Sequence, residues 1–243
     1  YTEGLYPRAI RAQTGVSLSQ LYRILHRASV PLRSQAESHR RHQMDFTFFQ
    51  RVDSHEKAQV LGFIAADGCV TRNTVSIKIA SCDHAYLEWM KEVIGYTGPV
   101  RVYPPQRPTE QPMSHLTLCS PKMVADITRL GCTPRKSLTL EWPTPEQVPL
   151  QFLPSYMLGY WEGDGSLSSS MRRNRPSPEY TWTIAGTESF CIEYAAMLGM
   201  PPGVGIVRPS DTRRNLIHCL RLNGNRQIKR AMDLLYANAT YTL

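Results

Sequence analysis

The sequence predicts an α+β protein: two pseudo-symmetric αββαββα repeats behind a small all-α helix-turn-helix domain. Three observations carry this. The stretch LGFIAADGCV (61–70) returns further along as LGYWEGDGSL (158–167), each an apolar run with an early glycine ending in Asp-Gly. Each copy is followed by runs that alternate apolar and polar residues with period two, as strands with one buried face do. The segment before residue 53 matches neither copy and reads as two short helices around a Thr-Gly-Val turn. The expected boundaries are 1–33 for the helix-turn-helix domain, 34–52 for a basic linker, 53–140 for the first repeat, 141–152 for a proline-rich connector and 153–243 for the second repeat.

In PRAIRAQTGVSLSQLYRILHRASV (7–30), an apolar helix meets the turn and Ser17 caps a second helix. Ile10, Val16, Leu21, Ile24 and Leu25 are the expected small core. Ser19, Gln20, Tyr22, Arg23 and Arg27 line the polar side of the second helix, a pattern suited to a DNA groove. LRSQAESHRRHQ (32–43) is basic and poor in apolar residues, as a phosphate-tracking linker would be.

The first repeat opens with the helix HEKAQVLGFIAADG (55–68). In TVSIKIA (74–80), Val75, Ile77 and Ile79 face the core, which leaves Ser76 and Lys78 outward. Asp83 is the expected cap of a helix that ends at Gly95. Strand-like VRVY (100–103) and HLTLCS (115–120) follow, then the helix PKMVADITRLG (121–131) and SLTL (137–140). The connector carries EWPTPEQVP (141–149). The second repeat runs in the same order: the helix LPSYMLGYWEGDG (153–165), the strand YTWTIA (180–185) with Thr181 and Thr183 outward, and Thr187 capping a helix that ends at Gly199. VGIVR (204–208), IHCLRL (217–222), the helix NRQIKRAMDLLY (225–236) and TYTL (240–243) complete it.

The chain has 243 residues, 42% hydrophobic and 20% charged, ordinary globular values. Lys and Arg number 28 against 20 Asp and Glu, a net charge of +8, and most of the cations are arginine, which forks onto phosphates and guanine edges. A polyanionic partner fits this balance better than a merely solvated surface. No stretch approaches a membrane span. The six cysteines form no Cys-x-x-Cys pair, which argues against structural zinc and fits a reducing, intracellular setting; Cys119 and Cys219 read as small core residues.

One face of each signature helix carries Ala58, Leu61, Gly62 and Ala65 in the first and Ser155, Leu158, Gly159, Glu162 and Gly163 in the second, and its small residues allow a close approach. Packed face to face, the helices would end side by side and bring Asp67 and Asp164 together, with Gly68 and Gly165 as caps. Two carboxylates at paired helix C-termini repel each other, and the helix dipoles add to the cost. Divalent cations remove that cost, and Mg²⁺ prefers a few carboxylates with water and phosphate oxygens. Such a site beside a DNA-binding surface suits phosphodiester hydrolysis.

These paired motifs resemble the two signature helices of single-chain LAGLIDADG homing endonucleases, over roughly 53–243, and the front piece is similar to that of phage and bacterial members with an extra DNA-binding domain. The resemblance implies a saddle of two four-stranded sheets across the major groove and double-strand cleavage leaving short 3′ overhangs. It implies that Asp67 and Asp164 hold metal, that Ala66 and Gly163 lend backbone carbonyls, and that Lys136, in CTPRKSLTL, is a catalytic cation near the metal. ANATYTL places Ala239 opposite Lys136, and the chain stops at Leu243, so unequal half-sites are expected. Mg²⁺ is the expected cofactor, with Mn²⁺ substituting and Ca²⁺ supporting binding without cleavage. The expected partner is a pseudo-palindromic or asymmetric double-stranded DNA site, bound by a monomer in the cytoplasm of a bacterial or phage-infected cell.

Strand phase and position select the DNA-facing residues: Ser76, Lys78, Arg101 and Arg107 in the first repeat; Thr181, Thr183 and Arg221 in the second, with Arg172, Arg173 and Arg175 in the loop MRRNRPSP (171–178) and Arg208, Arg213 and Arg214 near strand ends. A non-cleaving DNA- or RNA-binding protein on the same scaffold, a regulator or an intron maturase, is the alternative; the presence of both acids weighs for cleavage. A free-standing intein is disfavoured, because no splicing cysteine or terminal His-Asn is seen.

Overall fold

The computed structural model of the chain describes residues 1, 5, 7–32, 42–171, 177–201, 205–207 and 217–242. The chain divides into two compact units, Tyr1–Gln43 and Met44–Leu243.

The first unit holds α1 (Pro7–Thr14) and α2 (Leu18–Arg27). Gly15 turns the chain between them at φ +72°. Ser17 caps α2 in a reciprocal box with Gln20, whose side-chain oxygen accepts from the Ser17 amide at 3.1 Å. Leu21 and Leu25 are buried, while Ile10 and Val16 are half-buried. Ile24 departs from the expected core and is 55% exposed. At ~100° per residue it lies off the Leu21–Leu25 stripe, and one short partner helix covers only a narrow stripe.

The second unit is built on two central helices, α3 (His55–Asp67) and α6 (Leu153–Asp164). Each repeat adds an antiparallel four-stranded sheet. The first comprises β1 (Cys69–Val70), β2 (Thr74–Ala80), β3 (Arg101–Tyr103) and β4 (Met113–Cys119), in the order β1-β2-β4-β3. The second comprises β5 (Gly165–Ser170), β6 (Glu179–Gly186), β7 (Ile206–Val207) and β8 (His218–Asn223), in the order β5-β6-β8-β7. Alternation sends Val75, Ile77, Ile79, Leu116 and Leu118 inward from the first sheet, and Trp182, Ile184, Leu220 and Leu222 inward from the second. The helices α4 (His84–Val93), α5 (Pro121–Arg129), α7 (Glu188–Met197) and α8 (Asn225–Tyr236) complete the repeats. The αββαββα order expected for each copy is the order found.

Several boundaries move. The expected linker extended to residue 52, but Met44, Phe48, Phe49 and Val52 are buried in the core of the second unit, so the basic segment gives way to packed aromatic chain at residue 44. The connector is packed too: Val148 is buried, and the Trp142 ring lies 5.3 Å from Phe190 and 5.9 Å from Tyr194. Thr187 caps α7 by accepting from the Phe190 amide, but Asp83 makes no side-chain cap bond, because a 3₁₀ turn over Ser81–Asp83 feeds directly into α4. Cys119 is exposed and Cys219 half-buried, contrary to the core reading. Leu118 and Leu220 take the inward phase, which leaves the neighbouring thiols on the polar face. No helix among the described residues is long and apolar enough to cross a membrane.

Candidate active site and nucleic-acid interface

The site begins with how closely α3 and α6 approach. A Cβ on Gly62 would collide with the Tyr156 carbonyl oxygen, and one on Gly159 with the Gln59 carbonyl oxygen. These clashes mirror each other, as a pseudo-twofold axis between the helices requires. At the far end, a Cβ on Gly163 would strike Ala66 Cβ and lie 3.6 Å from Asp67 Cγ. Glycine at these positions lets the two backbones touch, so both helices deliver their terminal carboxylates to one place. Gly68 and Gly165 then leave the helices in extended conformation, at φ −70° and −90°, rather than as left-handed caps. Their lack of a side chain matters sterically, since a Cβ on either would strike the carbonyl oxygen of Ile64 or Trp161.

Asp67 and Asp164 line one cleft of about 670 Å³, together with Lys136, Tyr160, Cys69 and Thr71. Solvent reaches both carboxylates, yet the helix ends and cleft walls crowd them. This desolvation is the main cause that raises the Asp67 pKa, and Lys136 opposes it. Asp164 is pushed up to about 6, by desolvation first and by the Asp67 charge second, with Lys136 and Tyr160 opposing. The repulsion belongs to the pair: the carboxylate that takes a proton relieves the other. Among the described residues, no group of three or more His, Cys, Asp or Glu gathers to hold a metal. The two carboxylates and the nearby backbone carbonyls are hard oxygens, a kind of donor that suits Mg²⁺ or Ca²⁺.

Lys136 is 6% exposed, on a 3₁₀ turn entered through Arg135 at φ +61°. Its Nζ donates to the Ala66 carbonyl at 3.1 Å and to the Gly68 carbonyl at 2.5 Å. Burial lowers its pKa, opposed by Cys132, Asp164 and Asp67. The Ala66 carbonyl thus already carries an ammonium, which leaves its second lone pair for any other ligand. The expected match of Ala239 with Lys136 does not hold. Ala239 bonds back to Tyr236 just past α8 and packs on the core, and Thr240 then bonds Gln59, two helical turns before Asp67. The chains leaving α5 and α8 follow different paths, so Ala239 is not the counterpart of Lys136; among the described residues lining the cleft, Lys136 is the one lysine.

Two groups escaped the sequence reading. Tyr160 stands where the first motif has Phe63, so the hydroxyl gained between the matched helices could have signalled it. Its hydroxyl donates to the Ala185 carbonyl at 2.7 Å and faces the cleft beside Asp164. The buried Gln59 uses its whole amide: it donates to Glu162 at 2.9 Å and to the Tyr241 carbonyl at 2.8 Å, and accepts from Thr240 at 2.8 Å. Glu162 also accepts from Tyr86 at 2.9 Å. No periodicity marks such a cluster.

The outward faces of the sheets match the phase expected. Lys78, Arg101 and Arg221 are exposed; Ser76, Thr181 and Thr183 are half-buried on the same faces. Thr183 lies opposite both Ser166 and Arg221. Arg107 is exposed and 3.8 Å from Glu110. In the first unit Ser19, Tyr22, Arg23 and Arg27 are exposed, but the Gln20 side chain is engaged in capping. Arg172, Arg173, Arg175, Arg208, Arg213 and Arg214 lie outside the described residues.

No family model matches the chain, and no curated protein does. Solved structures do. I-GzeII, solved as a LAGLIDADG homing endonuclease in complex with its DNA target, superposes with a TM-score of 0.51 at 12% identity over 76% of this chain and 84% of that one. This chain has the LAGLIDADG homing endonuclease fold. Weaker likenesses, given no weight, are I-AabMI bound to uncleaved DNA (TM-score 0.49, 8% identity, 76% and 84% of the two chains) and I-SmaMI bound to cleaved DNA (0.47, 13%, 77% and 83%). In the LAGLIDADG fold described here, the paired motifs are the two helices that touch backbone to backbone.

Proposed function

We propose that the protein is a site-specific double-stranded DNA endonuclease that uses Mg²⁺, with Asp67 and Asp164 holding the metal. The observation that carries this is the delivery of two carboxylates, by a glycine-sealed helix pair, into one cleft with Lys136. A structural turn needs no such convergence. When bound, divalent cations supply activated water and charge neutralisation at the phosphate. Asp67 and Asp164 would orient those ions, with the Gly163 carbonyl and the free lone pair of the Ala66 carbonyl as further oxygens. Lys136 is held on two carbonyls beside the acids, where its ammonium can stabilise charge that builds on a phosphate. Tyr160, anchored on Ala185, limits how Asp164 can move. The polar sheet faces, with Ser76, Lys78, Thr181, Thr183 and Arg221, would meet the major groove, and the helix-turn-helix unit would add an outlying contact through Ser19, Tyr22, Arg23 and Arg27.

The test is a plasmid library with a randomised site, incubated with Mg²⁺, Mn²⁺ or Ca²⁺ and sequenced at its ends. Mg²⁺ and Mn²⁺ should yield one cut motif, and Ca²⁺ should yield binding alone. Selective binding with no cleavage in any metal would instead favour the regulator or maturase reading.

A further inference from the structure

Across the first sheet three nitrogen-bearing side chains stand abreast. Lys78 on β2 pairs with His115 on β4, and His115 pairs with Arg101 on β3. Neighbouring strands are ~4.8 Å apart, so the three form one row on the polar face. Lys78 and Arg101 are exposed, while His115, on an inner strand, is half-buried between them. Its Nε2 lies 3.4 Å from Thr117 Oγ1, and the Tyr103 ring lies 5.9 Å away. Arginines stand at the margins, Arg72 in the β1–β2 turn and Arg107, beside Glu110, in the β3–β4 loop; both are exposed. A recessed imidazole in the middle of a sheet is out of reach of a backbone passing over the rim. Only something laid flat against the sheet touches it, and the floor of a major groove is such an object.

We propose that His115 is a specificity-determining residue that donates a hydrogen bond to a guanine in the half-site read by the first sheet, and that it takes up a proton when it does so. This rests on the endonuclease reading above. Guanine shows two acceptors, N7 and O6, in the major groove, and a row of Lys, His and Arg donors complements acceptors. The second sheet offers a different pair on its two inner strands, with Thr183 on β6 opposite Arg221 on β8. The charged groups facing His115 are Lys78 and Arg101, both cationic, with Tyr103 as the other titratable neighbour. Burial first, then the repulsion of Lys78 and Arg101, lowers its pKa in the free protein. The negative potential of a DNA groove reverses that repulsion, so binding favours the imidazolium.

The experiment selects randomised duplexes with the full chain in Ca²⁺ at pH 6 and pH 8. The wild type should enrich guanine at one position of one half-site about tenfold, more strongly at pH 6. His115→Leu, which has no donor, should lose that preference and leave the rest of the motif intact. His115→Lys, a permanent donor, should restore the preference and make it independent of pH. An unchanged motif in His115→Leu overturns the assignment, as does a uniform loss of affinity across all sequences, which would make His115 a phosphate contact. A wild-type preference equal at both pH values overturns the proton uptake. Failure of the wild type to enrich any sequence would overturn the endonuclease reading itself.

Discussion

At the scale of single residues, the account turns on charges held where they cost free energy. Asp164 has a folded pKa of about 6 against an ordinary 3.8. The folded chain keeps this proton over a range where the unfolded chain has released it, so metal-free stability falls as pH rises from about 4 to about 6. Asp164→Asn should therefore raise metal-free stability at pH 7, by on the order of 1 kcal/mol once solvent screening of an exposed carboxylate is allowed for. Urea unfolding of both proteins at pH 4 and pH 7 checks this, and the gain should vanish at the lower pH. Lys136→Met keeps the stem and removes the charge. It should slow cleavage by ~10²-fold, as loss of a positioned electrostatic group does, with DNA affinity in Ca²⁺ little changed. Single-turnover rates beside equilibrium binding separate the two effects. The repeated motif made Asp67 and Asp164 visible in the sequence, and the family resemblance pointed to Lys136. Tyr160 and Gln59 were not visible, since a lone hydroxyl or amide carries no pattern until the fold shows what surrounds it.

At the scale of elements, the helix pair is the part most constrained by packing. Gly62 and Gly159 each face a carbonyl oxygen of the partner helix, so an added methyl has no flexible side chain to displace. Gly62→Ala or Gly159→Ala should force the helices apart and destabilise the second unit by at least the ~1–3 kcal/mol of ordinary overpacking. Cleavage should fall further than stability alone explains, because the carboxylates would separate. Thermal melts together with metal titrations test this, and a variant with wild-type melting and cleavage would show that the helices do not need to touch. Strands and helices were legible here because alternation and 3.6-residue periodicity were strong: Val75, Ile77 and Ile79 fell inward as read. Cys119 was misplaced because an apolar-looking residue at a strand end follows the phase of its neighbours, not its own hydrophobicity. Asp83 failed as a cap because a 3₁₀ turn replaced the expected loop.

At the scale of the whole molecule, the second unit has its own continuous core, from Met44 onward. Deleting residues 1–43 should leave a folded enzyme that cleaves at a near-normal maximal rate, binds more weakly and protects a shorter stretch of DNA. Footprinting of both forms on the selected site would show it, and an identical footprint would mean that the first unit does not touch the target. The domain order was legible from the repeat. The junction at residue 44 was not, because FTFF (46–49) follows a basic run closely and only tertiary packing reveals that it belongs to the core.

The central claim is that two carboxylates, brought together by touching helices, hold the metal for strand cleavage. The most direct measurement is a cleavage time course on the selected site in Mg²⁺ for the wild type, Asp67→Asn and Asp164→Asn, with DNA binding measured in Ca²⁺ in parallel. The account predicts that each single change abolishes cleavage while the variant still folds and binds the same site. Cleavage at near wild-type rate by either variant would contradict it.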